Sequence, residues 1–149
     1  MKPARRRPWP KPVTTTNSQL GSVELRIPNR PEWVAVARLT IAAVANRLPF
    51  TVEEIEDLKL AIAEACTSVI QSGDGGGTID ITFETAPSEL RIHVRDRGAI
   101  RSDVLDERRG PPGVEGLGVF LIQALMDNVE RTVDPQNGTE LLMTKRVGS

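Results

Sequence analysis

The 149 residues are 39% apolar and 26% charged with a net charge of −1, which suits one globular domain and excludes a disordered or fibrous chain. Five of the 19 basic residues (Lys2, Arg5, Arg6, Arg7, Lys11) fall in the first twenty positions, which hold no acid; 14 basic residues then face 20 acidic ones over the remainder. An acidic body argues against a nucleic-acid groove, and no apolar run approaches the ~18 residues a membrane span needs. The one cysteine, Cys66, excludes a disulfide framework, and with no Cys or His companion it excludes a metal cluster; a cytoplasmic setting is expected.

Residues 1–21, with Pro3, Pro8, Pro10 and Pro12 among arginines, read as a disordered basic tail, either a docking arm or a plain leader. It lacks the apolar segment of a secretory signal. Residues 22–146 form the expected domain. Val23, Leu25 and Ile27 alternate with Glu24 and Arg26, the pattern of a half-buried strand. Pro31 suits a first helical turn, and Val34, Ala37, Ile41, Val44 and Leu48 follow at helical spacing, stopped by Pro49. Thr51 and Glu54 make a capping box. A second helix follows with a stripe at Ile55, Leu58, Ile62, Ala65 and Val69, ending in Gly73, Gly75, Gly76 and Gly77.

Two alternating strands come next, Ile79, Ile81 and Phe83, then Leu90, Ile92 and Val94, joined by Ala86-Pro87-Ser88-Glu89 as an antiparallel hairpin. The segment 96–115 has no periodicity and reads as a functional loop, a lid over about 99–116. Leu117, Leu121, Ala124 and Leu125 start a third helix. Segments 129–133 and 140–145 close the chain as a hairpin around Pro135-Gln136-Asn137-Gly138. The order β-α-α-β-β-α-β-β predicts an α+β two-layer sandwich, a mostly antiparallel sheet with helices on one face.

Four groups of residues have chemical potential. Glu64 and Ser68 stand one turn apart on the second helix, on the side of Leu60 and Ala61 and away from Ile62; they form either a solvated polar pair or a pocket wall. Asp96-Arg97-Gly98 ends a strand. Its carboxylate can accept from an exocyclic amine such as adenine's, or it makes an ordinary Asx turn. Gly113-Val114-Glu115-Gly116-Leu117-Gly118 lies where the loop becomes a helix. Free amides there suit phosphate oxygens, and a glycine hinge is the alternative. His93, the only histidine, lies on the polar face of its strand and reads as structural or solvated. Cys66 reads as a small buried hydrophobe.

Taken in order, Glu64-Ala65-Cys66-Thr67, Asp96-x-Gly98, Gly116-Leu117-Gly118 and Gly138-Thr139 resemble the GHKL ATPase superfamily with its Bergerat, histidine-kinase-like fold. The run from Gly116 through Leu125-Met126-Asp127, and Thr144-Lys145, are especially similar to the bacterial anti-sigma factor serine kinases. The resemblance spans about residues 22–146. It implies Glu64 as general base, Asp96 on the adenine amino group with Gly98 giving room, Gly116, Leu117 and Gly118 around the phosphates, and Thr139 near the adenine. It implies ATP and Mg²⁺ as cofactors, a sigma factor and an anti-anti-sigma protein as partners, and a homodimer.

The sequence departs from that pattern twice. Ser68 stands where the family's Asn ligates Mg²⁺, and Ile100 replaces the second glycine of the Asp loop. Arg108 and Arg109 are candidates to offset phosphate charge, or they are a solvated lid tip. Two functions follow from this: a sigma-binding serine kinase, or a degenerate sigma-binding module with nucleotide as a structural ligand or none.

Overall fold

The computed structural model describes residues 21–72, 76–96, 112–134 and 138–148. The tail 1–20, Gly73 to Gly75, the loop 97–111 with Gly98, Ile100, Arg108 and Arg109, and the turn 135–137 lie outside the described residues. Five strands pair antiparallel throughout, in the order β1-β2-β3-β5-β4. They are β1 (Gly21–Pro28), β2 (Thr78–Ala86), β3 (Glu89–Asp96), β4 (Asn128–Asp134) and β5 (Gly138–Arg146). Three helices, α1 (Val34–Ala45), α2 (Val52–Ser72) and α3 (Pro112–Leu125), cover one face. This is the two-layer α+β sandwich that the element order predicts. Among the described residues, no helix is long and apolar enough to cross a membrane.

The sheet shows why alternation was informative. Along β2 every second residue is buried, and β3 follows the same rhythm. Ile79, Ile81, Phe83, Leu90, Ile92 and Val94 are all fully buried against the helices. Each such side chain contributes roughly 1.5–3 kcal/mol on removal from water. Ile27 completes the row on β1, whereas Val23 at the far end of that strand remains 43% exposed. β1 begins at Gly21, the last residue of the expected tail.

The helices differ from expectation at their ends. A 3-10 turn, Pro31–Trp33, precedes α1, because the proline fixes φ without needing a hydrogen-bonded N–H. α1 stops at Ala45, four residues short of Pro49. The backbone then winds through tight turns, Leu48 N–H to Ala45 O and Phe50 N–H to Leu48 O. Leu48 is therefore buried from a turn and not from a helix; the residue before a proline disfavours helical backbone. α2 opens on its capping box: Thr51 N–H donates to Glu54 Oε1 (2.8 Å) and Glu54 N–H to Thr51 Oγ1 (3.1 Å). α3 starts at Pro112 and not at Leu117. Gly116 and Gly118 consequently lie inside the helix, and residues 112–116 belong to it and not to an irregular lid.

Candidate active site

The two hydroxyl and carboxylate candidates of α2 do not face open water. Glu64 and Ser68 are half-buried, and Ala61, expected on an outward side with them, is fully buried; Leu60 alone of that group is exposed. The reason is that α2 is packed on two flanks, by α1 on one side and α3 on the other. Gly118 of α3 lies against this pair. A Cβ built there would stand 3.2 Å from Ser68 Oγ and 3.6 Å from Glu64 Oε1. The missing side chain lets the α3 backbone sit against this pair, the close-approach use of glycine.

Asp96 ends β3 on the helix-facing side and is 1% exposed, paired with Ile79 of β2. The β3–β5 ladder runs to Arg95 opposite Glu140. One step further in the same register sets Asp96 beside Thr139. Thr139 is half-buried and pairs with Val133 on its other side. Two of the polar residues singled out from sequence thus share the end of two adjacent strands. Gly116 and Leu117 lie within α3, and Gly98 is outside the described residues.

The far end of α3 is fastened to the sheet. Lys145 is only 5% exposed. Its ammonium donates to the carbonyl of Leu125, the last residue of α3, at 2.8 Å, and lies 3.9 Å from Asp57 Oδ2 of α2. A cation at a helix C-terminus satisfies an orphan carbonyl and meets the negative end of the dipole. Asp127 adds two bonds, its N–H to Thr144 O (2.9 Å) and its Oδ2 accepting from Arg146 N–H (2.6 Å). Sequence reasoning picked out these residues by resemblance but missed what they do. The signal available was a lysine in a strand at an otherwise apolar-facing position.

Electrostatics separates the reactive candidates from the inert one. Burial pushes the Cys66 thiol up to about 12, so it is no nucleophile at neutral pH. Glu54 is held below the usual carboxylate range, first by the Thr51 backbone N–H, against the cost of burial, and further by the N–H of Gly148. His93, on the open face of the sheet as its strand position implied, contacts Glu84 and Glu140. Among the described residues no cluster of three metal-ligating side chains occurs.

A model of the histidine kinase-like ATPase domain matches residues 27–145. The chain belongs to this family. The fold is the ATPase fold, with α2, α3 and the ends of β3 and β5 arranged as above. Several relatives of this histidine kinase-like ATPase are serine-protein kinases named RsbW. That of Halalkalibacterium halodurans is 41% identical over 135 residues, covering 83% of this chain and 82% of that protein. Those of Oceanobacillus iheyensis and Bacillus mycoides are 36% and 37% identical, each over 84% of this chain and over 86% and 84% of their own lengths.

Proposed function

We propose that this chain is an ATP-dependent serine-protein kinase that restrains a sigma factor and phosphorylates an anti-anti-sigma protein on serine, acting in the cytoplasm as a homodimer. The observation that carries the reading is the meeting of Glu64, Ser68 and Gly118 where α2 and α3 touch. A carboxylate at a helix–helix seam beside a glycine-rich segment suits proton abstraction next to a phosphate. The kinase relatives at 36–41% identity support the same chemistry.

In this reading Asp96 accepts a hydrogen bond from the adenine amino group, Thr139 lies beside the base, and Gly98 leaves it room. The amides of Gly116, Leu117 and Gly118 serve the phosphates. Because α3 begins at Pro112, those amides face helical partners until the first turns open. Each glycine in a helix weakens it by about 1 kcal/mol relative to alanine, so that opening costs little. The seryl oxygen of the substrate bonds to the γ-phosphorus, Glu64 takes its proton, and ADP leaves with the electron pair of the broken P–O bond.

Mg²⁺, when bound, neutralises charge on the phosphates. In this reading Ser68 Oγ would be the protein oxygen that holds it. One hydroxyl beside one carboxylate fits an ion that takes most of its ligands from phosphate and water, which is how Mg²⁺ is commonly held. Ser68 also favours a second reading, a sigma-binding module whose nucleotide is structural, since a single neutral oxygen is a weak metal ligand.

One experiment separates the two. The protein is incubated with Mg-ATP and its cognate anti-anti-sigma protein, and phosphoserine is measured by mass spectrometry. The kinase reading expects phosphate on a serine, lost in Glu64→Gln while ATP affinity is kept. Tight ATP binding with no phosphate from the wild type leaves the second reading. No ATP binding by calorimetry, with Mg²⁺ present, overturns the pocket itself.

A further inference from the structure

The outer face of the helical layer holds an apolar patch over the α2–α3 seam. Glu64 and Ser68 of α2 meet Gly118 of α3, and Lys145 joins Asp57 of α2 to the carbonyl of Leu125. The two helices therefore run antiparallel. Leu60 lies one turn from Glu64 and Leu121 nearly one turn from Gly118, so both rise from the same stretch of seam. Ala61 and Ile122 next to them are fully buried, whereas Leu60 and Leu121 are exposed and Phe120 is 71% exposed. Ala124, one turn beyond Phe120, extends the patch along α3. Contiguous apolar surface rimmed by polar groups marks a docking site.

The rim has one sign. Glu53, Glu56, Asp57 and Glu64 lie within two turns of Leu60, on its side of α2. Lys59 engages Glu56 at 3.0 Å and Lys145 reaches Asp57 at 3.9 Å. Glu53 and Glu64 have no ion-pair partner among the described residues. Between Gly118 and Met126, α3 carries no charge to balance them. The patch thus suits an occupant that is apolar at its centre and basic around it.

Such a segment exists on the chain itself. Residues 1–20 carry Lys2, Arg5, Arg6, Arg7 and Lys11 and no acid, with Trp9 among them. Pro8 and Pro10 fix φ on either side of Trp9, so less backbone freedom is lost when it docks. The segment can also reach. β1 starts at Gly21, and the row Gly21–Thr85–Leu90–Lys145 crosses three strand spacings, ~15 Å, to the lysine that touches both helices. One helix layer, about 10–12 Å thick, then separates the sheet from the outer face. The stretch from Trp9 to Gly21 spans up to ~40 Å when extended. A second copy of the chain fits less well. A two-fold contact would set the patch against itself and bring like charges together.

We propose that residues 1–20 dock back on the α2–α3 seam, with Trp9 on Leu60, Phe120 and Leu121 and the flanking arginines and lysines against the acidic rim. Any protein that uses this seam competes with the tail. The inference does not depend on catalysis by Glu64.

The test uses the full chain. Ala4→Cys supplies one reactive thiol for a nitroxide spin label, because Cys66 is fully buried and its thiol pushed up to about 12. Amide NMR intensities are compared with the label oxidised and reduced. At low salt the signals of Leu60, Phe120 and Leu121 are expected to lose most of their intensity, while those of the open sheet face around His93 keep theirs. In about 1 M salt, where the Debye length is ~3 Å, the loss should shrink. Trp9→Ala and Phe120→Ser should each restore the signals, with an unchanged urea midpoint showing that the fold is intact.

No loss at the seam, loss spread evenly over both faces of the molecule, or loss that survives either substitution overturns the docking. A mixed sample, with isotope on one set of molecules and spin label on the other, tests the remaining occupant. Loss that crosses between molecules assigns the patch to a second copy and overturns docking of the chain's own tail.

Discussion

Gly118 of α3 and Ser68 of α2 are in such close register that a single methyl group on the glycine would sit 3.2 Å from the serine hydroxyl. Gly118→Ala sets two effects against each other: alanine strengthens the helix by up to ~1 kcal/mol, and the new methyl crowds Oγ. Urea unfolding is expected to show a stability change within about 1 kcal/mol. Gly118→Val is expected to lose about 1–3 kcal/mol by overpacking the same seam.

Ser68→Asn probes the same contact from the other side. The carboxamide supplies the carbonyl oxygen that the hydroxyl lacks, and Gly118 presents no side chain to oppose it. Phosphoryl transfer at limiting Mg²⁺ is expected to rise, and the Mg²⁺ concentration for half-maximal rate to fall. An unchanged Mg²⁺ dependence would show that position 68 is not a metal ligand.

Lys145 tests how firmly α3 is anchored. Lys145→Met keeps the apolar stem but removes the donor to Leu125 O, leaving a part-buried carbonyl at the end of α3 without that partner. The expected loss is about 1–3 kcal/mol in denaturant unfolding. Lys145→Ala adds a cavity and should lose more. Hydrogen exchange of the last turn of α3 should speed up in both variants before the sheet is affected.

Glu54 gives acid sensitivity. Its folded pKa is depressed by the Thr51 and Gly148 amides, so the carboxylate contributes stability that is present above the unfolded value, near 4.3 for glutamate. That contribution is lost as pH falls through the folded value. Glu54→Gln keeps one acceptor oxygen for the two N–H groups of Thr51 and Gly148 and should cost about 1 kcal/mol at neutral pH. The gap from wild type should close as the solution is acidified below about pH 4. Thermal melts of both proteins across pH measure it.

Cys66 should be silent in the native state. Its thiol is fully buried and pushed up to about 12, so alkylation by iodoacetamide is expected only through unfolding. Labelling rates should track denaturant concentration along the unfolding curve.

How much of this was legible in the sequence depended on range. The strands of Ile79–Ile81–Phe83 and Leu90–Ile92–Val94 could be read because one sheet face is buried and the period is short. The start of α3 was hidden because Gly113, Gly116 and Gly118 depress helix propensity, although Pro112 at its first position was a usable signal. Periodicity showed a single stripe on α2, whereas packing on two flanks also shelters Glu64 and Ser68. The pairings His93–Glu84 and His93–Glu140 join three strands, and no local pattern records them. The same holds for β5 lying between β3 and β4.

That strand order has a consequence for incomplete copies of the protein. β3 precedes β5 in the chain but relies on it to cover its edge, and among the described residues β4 pairs with β5 alone. A chain cut before Gly138 would leave β3 with a bare row of amides and carbonyls and β4 with nothing to pair with. Such a fragment would be removed by self-association or proteolysis, so shortened products are expected in pellets.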